Sequence, residues 1–381
     1  MARLFGLATL ALIALAAAVF FFVVPKRVDG SLNKIVPHTA FEIGDDARAL
    51  HGGLRLADLH DDALLWDRDF AMRNKRGHTD APRLIEGGYR LQVLAAVTKT
   101  PKNLNYDRNT GDTDNITPLV IAQRWPLKTW TSLAERALHI AHRAEGAARR
   151  SNGAVKLARS KSDLALDNPL TIVLATEGAH PLEGRIENID RLYGAGYRVL
   201  GLHHFFDNEL GGSLHGVSGG GLTDFGREAV TAAVAKGMII DLAHSSEAVV
   251  RDALAVNDRP MIVSHTGLRG HCDSPRNLPD DLMQEIAARG GLIGVGFWDG
   301  AVCEASIAAI VDAISYAVRL VGADRVALGS DFDGATTVPF DASEAAALTD
   351  GLVSAGVDEA TIRAVMGENA IRFFKDNLPT E

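Results

Sequence analysis

The hydropathy pattern divides the chain into two unequal parts. Leu4 to Val24 is a run of 21 residues without a charge, broken only by Gly6 and Thr9. As a helix it would be ~32 Å long, the hydrocarbon thickness of a bilayer. Arg3 precedes it and Lys26 and Arg27 follow it, so charge orients it weakly. The run predicts a transmembrane or signal-anchor helix over residues 1–25. A cleaved signal peptide is the alternative: Ala16 and Ala18 resemble a cleavage site, but Val19 to Val24 prolong the apolar core beyond the usual ~7–15 residues. A buried core helix is the bland reading. Residues 26–49 read as a linker from the membrane.

From Leu54 onward, short apolar runs alternate with longer amphipathic stretches, the pattern of a parallel α/β fold. The runs predict eight strands, at Leu54–Leu59, Leu91–Val97, Thr171–Thr176, Tyr197–Leu202, Met238–Leu242, Met261–Ser264, Leu292–Phe297 and Arg325–Gly329. Helices are expected at Ser132–Arg150, Gly226–Lys236, Glu247–Leu254, Asp280–Ala288 and Ser306–Val321, with a closing helix at Asp358–Phe374. Eight strand–helix units predict a TIM-like (β/α)8 barrel with insertions over residues 50–378. Lys99–Pro118, rich in Asn, Asp and Thr, is expected to be a surface loop inserted after the second strand.

Composition narrows the partners. With 39 basic and 48 acidic residues the 381-residue chain carries a net charge of −9, without the basic excess a nucleic-acid binder needs. Two cysteines are too few for a disulfide scaffold or a cysteine zinc knuckle. The 13 histidines matter for where they fall.

Active sites of this fold form at the carboxyl ends of the strands. The first strand ends in Asp58-Leu59-His60-Asp61-Asp62 and the third in Thr176-Glu177-Gly178. The fourth ends in His203-His204, the fifth in Asp241-Leu242-Ala243-His244 and the sixth in Ser264-His265. The eighth ends in Gly329-Ser330-Asp331-Phe332-Asp333-Gly334, whereas the second and seventh offer only Thr98 and Trp298. Taken singly these groups are unremarkable: a loop carboxylate, a core histidine, a helix cap. Asp241, inside its strand, reads as structural. At equivalent positions of one repeat, the set points to divalent metal, because imidazole and carboxylate ligate zinc and its neighbours. The number of groups suits two ions sharing a carboxylate. His60 and Asp62, two apart in an extended segment, share a side. His139, His142, His38, His51, His215 and His271 take the bland reading; His78 and His180 lie in loops near the rim and are left open.

The ordered motifs DLHDD (58–62), EGAH (177–180), RVLGLHH (198–204), GLTDFGR (221–227), DLAHSS (241–246), SHT (264–266), PRNLPDD (275–281) and GSDFDG (329–334) resemble the membrane dipeptidase (renal dipeptidase) family, peptidase family M19. The resemblance covers about Leu56 to Phe374. It implies a zinc-dependent dipeptidase with two Zn2+ per chain, attack by a metal-bridging hydroxide, and tolerance of a C-terminal D-amino acid. His60 and Asp62 would hold one zinc, His244 and His265 the other, and Glu177 would bridge them. His204 would steady the tetrahedral intermediate, Arg276 would take the substrate carboxylate, and Asp331 would handle protons. His-Asp-Asp in place of the more usual His-Asn-Asp leaves both ligands in place. His203, where mammalian members carry threonine, puts substrate contacts near the fourth strand in doubt. Cys272 and Cys303 fall where mammalian members have a disulfide. The expected partners are a small dipeptide, a membrane reached through the N-terminal helix and, as an option, a second copy of the chain; the catalytic part is expected outside the cytoplasm, or secreted if the leader is cleaved. Two other readings stay open. One is another metal-dependent amidohydrolase, such as a lactonase or deaminase, although the first strand carries His-x-Asp and no strand end offers a lysine. The other is a membrane-tethered, non-catalytic binding protein.

Overall fold

The structure, a computed structural model, describes residues 2–164 and 170–380. Eight parallel strands close into a barrel: β1 (Leu56–Asp58), β2 (Tyr89–Val97), β3 (Leu170–Glu177), β4 (Tyr197–Gly201), β5 (Ile239–Asp241), β6 (Ile262–Thr266), β7 (Leu292–Val295) and β8 (Val326–Leu328). Each pairs with the next, and Leu328 aligned with Asp58 closes the ring. All eight coincide with the apolar runs to within a few residues, and almost every strand residue is buried, as expected where helices cover a sheet that encloses its own core. A further strand, Val155–Leu157, pairs beside β3 on the outside.

The helices begin where the sequence supplies a cap. Ser132, Thr223, Ser246 and Ser306 each accept a backbone N–H from the first turn of Leu133–Arg150, Asp224–Ala235, Glu247–Val256 and Ile307–Val321. Inside the barrel, Ala57, Leu91, Val93, Val173, Val199, Ile239, Ile262 and Leu292 pack together with Phe373, Phe374 and Leu378, so the last helix seals the end opposite the site. The expected closing helix Asp358–Phe374 is not continuous. It is two helices, Glu359–Arg363 and Asn369–Asn377, joined by a wide turn at Ala364–Glu368. The backbone at Gly367 presses against β1, where a Cβ would lie 1.9 Å from the Arg55 carbonyl oxygen.

The N-terminal run forms helix α1 (Ala2–Phe22), and α2 (Val24–Leu32) continues it almost in line, with Val23 N–H to Val19 O and Arg27 N–H to Val23 O bonds across the junction. The span Leu4–Leu32 is long and apolar enough to cross a membrane, and its apolar stretch is exposed. The segment expected to be a linker is instead built into the fold. Asp29, on α2, is buried, and its Oδ2 lies 3.2 Å from Arg68 Nε and accepts from Arg76 Nε at 3.2 Å. The strand Lys34–Ile35 pairs in parallel with Thr337–Val338, just beyond β8. Asn33 Oδ1 accepts from Ala335 N–H at 2.9 Å. Counter-charges from distant loops hold this stretch in place.

Candidate metal centre

Glu177, the last residue of β3, is the hub of the rim. Its Oε1 lies 3.6 Å from His60 Nε2, 3.3 Å from His204 Nε2, 3.2 Å from His244 Nε2 and 3.4 Å from His265 Nε2. His60 Nε2 is also 3.7 Å from Asp62 Oδ1 and 4.0 Å from Asp331 Oδ1. His244 and His265 bring their Nε2 atoms to 2.9 Å of each other. All these side chains are buried. The structure thus brings together every residue expected at the site, Arg276 included: its Nη2 donates to the His265 carbonyl at 2.8 Å and lies 3.3 Å from His244 Nε2.

Two of these positions are held in the left-handed backbone region, His244 at φ 60° and Asp331 at φ 58°. Non-glycine residues are rare there, and such strain concentrates where a side chain must be aimed. At Asp331 the turn is completed by Gly334, where a Cβ would lie 1.9 Å from the Asp331 Oδ1 atom.

The residues between the ligands-to-be do the aiming. Asp61, at the middle of His-Asp-Asp, points away from its neighbours and accepts from Ala63 N–H and Thr79 Oγ1 at 2.7 and 2.8 Å. Asp58 accepts from Ser330 N–H, Ser330 Oγ and Gln92 Nε2, tying β1 to the loop after β8. Asp241 takes the structural part its place in the strand suggested. Its Oδ2 accepts from Ser264 Oγ at 2.5 Å, and that oxygen faces His60 Nδ1 at 3.3 Å and His265 Nδ1 at 2.9 Å. A hydroxyl whose proton is committed to Asp241 can only accept, so both imidazoles carry their proton on Nδ1. Each Nε2 then faces the centre and, once free of any proton, offers the lone pair a metal ligand needs.

Burial raises the Glu177 carboxyl well above its usual range, with Asp62 adding to it. Burial pushes Asp331 up to about 8, although His60 opposes the shift. Burial lowers the His60 pKa, but Asp62, Glu177 and Asp331 outweigh it and raise it to about 10. His204, His244 and His265 are held well below 6.5, chiefly by burial. Without a cation, burial above all, with the neighbouring carboxylates adding to it, favours the protonated forms of Glu177 and Asp331.

Fit to a metal can be judged from the donor atoms. His60 Nε2, Asp62 Oδ1 and Glu177 Oε2 are buried and have no hydrogen-bond partner among the described residues. Such orphaned groups are costly unless something satisfies them. His60, Asp62 and Glu177 form one ligand group with donor atoms within 4.8 Å of one another, and Glu177, His204 and His244 form another. The chemistry and the vacant lone pairs fit divalent metal.

A family model for membrane dipeptidases, peptidase family M19, matches residues 45–379. The chain belongs to that family. Membership of this metallopeptidase family implies a metal. Dipeptidase 3 of Mus musculus is 28% identical over 344 residues, spanning 83% of this chain and 66% of that protein. Dipeptidase 3 of Homo sapiens is 27% identical over 330 residues, 78% of this chain and 64% of that one. The chain thus spans about two thirds of the length of these curated relatives. Among solved structures, the probable dipeptidase PvdM from Pseudomonas aeruginosa superposes with a TM-score of 0.72 at 21% identity, covering 87% of this chain and 98% of that one. A metallo peptidase from Rhodobacter sphaeroides, solved with a phosphinate mimic of the dipeptide L-Ala-D-Ala, gives 0.67 at 22% identity, covering 85% and 99%. At these identities the likeness shows the shared barrel.

The disulfide that the resemblance implied is present: Cys272 and Cys303 are bonded, with Cα atoms 5.7 Å apart. Cys272 lies four residues before Arg276 and Cys303 five after Trp298, so the bond ties together the loops that carry them. The Arg276 guanidinium sits 5.2 Å from the Trp298 ring centre, and Trp298 Nε1 donates to Tyr106 Oη at 2.8 Å.

Several contributors were not foreseen. Trp298, expected only as an inert strand end, lines the pocket, as does Tyr106. The Lys99–Pro118 insertion is, as expected, a largely exposed loop, but it is anchored at its ends. Arg136, buried in its helix, donates to Thr98 O and Asp114 Oδ2, both at 2.7 Å, and pins both ends of it. His215, given the bland reading, is buried with its ring centre 5.4 Å from that of His244, and its Nδ1 is 2.9 Å from Tyr106 O. His203 turns away toward Ser245 Oγ at 3.2 Å. His78 accepts Asp333 N–H on Nδ1 and meets Lys34 O with Nε2, a structural role; His180 packs on Phe206 outside the metal-ligand groups.

Proposed function

We propose that this chain is a zinc-dependent dipeptidase that hydrolyses dipeptides, including those with a C-terminal D-residue. The observation that carries the proposal is the meeting of four imidazole nitrogens on one buried carboxylate oxygen whose twin oxygen has no hydrogen-bond partner among the described residues. His60 and Asp62 would hold one zinc and His244 and His265 the other, and Glu177 would contribute to both. Bound zinc supplies a water of lowered pKa and Lewis acidity toward the scissile carbonyl.

The chain's own groups do the rest. Arg276, fixed by the His265 carbonyl and Trp298, receives the substrate's C-terminal carboxylate and limits the length of what fits beyond the scissile bond. His204 points its Nε2 into the centre, 3.3 Å from Glu177 Oε1, and would donate from it to the carbonyl oxygen as that oxygen gains charge, which requires the proton on Nε2 and not on Nδ1, 3.5 Å from the Lys99 carbonyl. Burial keeps this imidazole neutral, so it stabilises by hydrogen bonding. As the water oxygen bonds to the carbonyl carbon, Asp331 accepts the water's proton and passes it to the amine nitrogen as the C–N bond breaks. The left-handed backbone at Asp331 aims the carboxylate inward, 4.0 Å from His60.

The likeness to the Rhodobacter sphaeroides metallo peptidase, solved with its L-Ala-D-Ala mimic, favours L-Ala-D-Ala as the first substrate to try. The apolar helix α1 supports a membrane anchor, which would put the catalytic barrel outside the cytoplasm. The test is turnover of L-Ala-L-Ala and L-Ala-D-Ala by zinc-loaded, full-length chain in detergent, with a lactone and a nucleobase panel alongside. Cleavage of the dipeptides is expected. A folded, zinc-loaded protein that spares both dipeptides would sink the proposal.

A further inference from the structure

The cavity over the metal centre has a volume of about 590 Å3 and reaches well past the reacting groups. This lies within the ~300–1,000 Å3 of pockets for drug-sized ligands, more room than a dipeptide of two alanines fills. One end is polar, with Glu177, His204, Asp331 and Arg276. The other is walled by Phe20, Val24, Val28 and Leu32. These four recur every fourth residue and form a stripe along one side of the α1–α2 helix. Leu65 and Trp66, three and four residues beyond Asp62, also line the cavity.

This wall lies outside the part of the chain that matches the family, which begins at residue 45. It is also fixed. Asp29, on the same helix, is locked to Arg68 and Arg76, and the next residues clasp the loop after β8 through Asn33 and the strand Lys34–Ile35. The helix that forms the candidate anchor therefore ends as one side of the substrate pocket.

We propose that the Phe20–Val24–Val28–Leu32 stripe is an apolar subsite that selects dipeptides with a large apolar N-terminal side chain. The inference rests on the dipeptidase reading. With the substrate carboxylate on Arg276, the N-terminal residue lies toward Asp62 and the Leu65–Trp66 wall that follows it. A bulky apolar side chain there displaces water from between that wall and the stripe. An alanine side chain leaves the space filled with water and gains nothing from it.

The experiment compares kcat/KM for L-Phe-L-Ala and L-Ala-L-Ala in the zinc-loaded full chain, wild type against Val28→Asn and Leu32→Asn. Leu32 is 41% exposed, so its replacement leaves folding intact even if Val28→Asn does not. The wild type is expected to favour L-Phe-L-Ala by ~10-fold or more, the discrimination an apolar pocket typically achieves. Each variant that folds should lose most of that preference. L-Ala-L-Phe, with its large group at the other end, should move less. A Phe/Ala ratio unmoved in a folded variant that still cleaves dipeptides would overturn this inference alone. Failure of the wild type to cleave any dipeptide would overturn it together with the dipeptidase reading.

Discussion

Replacing Asp29 with alanine should destabilise the protein although Asp29 precedes the family-matched region and touches no proposed ligand. Asp29 is 1% exposed and takes three contacts: Arg68 Nε at 3.2 Å, Arg76 Nε at 3.2 Å and Asn33 Nδ2 at 2.9 Å. The Arg76 side chain is 31% exposed, so its share is that of a surface pair, ~0.2–1 kcal/mol. Arg68 is buried, and stripping a buried charge of all partners costs ~3–5 kcal/mol. It would keep Asp333, 2.9 Å from its Nη2, and the carbonyls of Arg76 and Thr79, so the loss is nearer that of one charge-assisted contact, ~1.5–3 kcal/mol. Together these give ~2–4 kcal/mol. The assay is the urea midpoint of the full chain in detergent micelles, followed by a signal from the barrel. A midpoint within error of wild type would refute the claim that residues 26–36 are built into the barrel and restore a free linker. Because Arg68 also pairs with Asp333, two residues beyond Asp331, a drop in kcat should accompany the loss of stability.

Other expectations bear on the centre. By distance alone His204 stands among the ligands, 3.3 Å from Glu177, so metal counting must separate its role. His204→Ala should keep about two zinc per chain with kcat reduced ~100-fold or more, the usual cost of removing an oxyanion donor. His244→Ala should lose one zinc; equal zinc in both variants would contradict the division of roles. Ser264→Ala should weaken zinc binding ~10–100-fold by freeing the tautomers of His60 and His265, read by competition with a chelator. Unchanged affinity would show that Ser264 does not set them. Finally, zinc should bind more tightly as pH rises. In the metal-free protein His60 titrates at about 10 and Asp331 at about 8, so both hold protons at pH 7, and ligation requires His60 to release its own. Calorimetry in buffers of different ionisation enthalpy should register proton release at pH 7; binding without it would refute the charge reading.

The barrel was legible because its strands are buried on both faces and read as unbroken apolar runs, and because six of the eight strand ends fell at a carboxylate or imidazole. His60, Asp62, Glu177, His204, His244, His265 and Asp331 could thus be picked by position. The parts missed depend on long-range pairing. Asp29 and Lys34 lie in a polar stretch whose partners, Arg68 and the strand Thr337–Val338, are remote in sequence. Tyr106 and Trp298 carry no local mark of a site; they meet only because an insertion after β2 folds over the loop after β7. The break in the closing helix turns on Gly367 meeting the Arg55 backbone, a contact that amphipathic periodicity does not encode.

The decisive measurement is zinc content and dipeptide turnover on the same preparations of wild type and Glu177→Ala. Wild type should carry about two zinc ions per chain and cleave L-Ala-D-Ala. Glu177→Ala should remain folded, since the barrel's interior packing does not involve this side chain, yet lose metal and nearly all turnover. A wild type that binds no metal, or a Glu177→Ala variant that retains both ions and full activity, would contradict a metal centre built on that carboxylate.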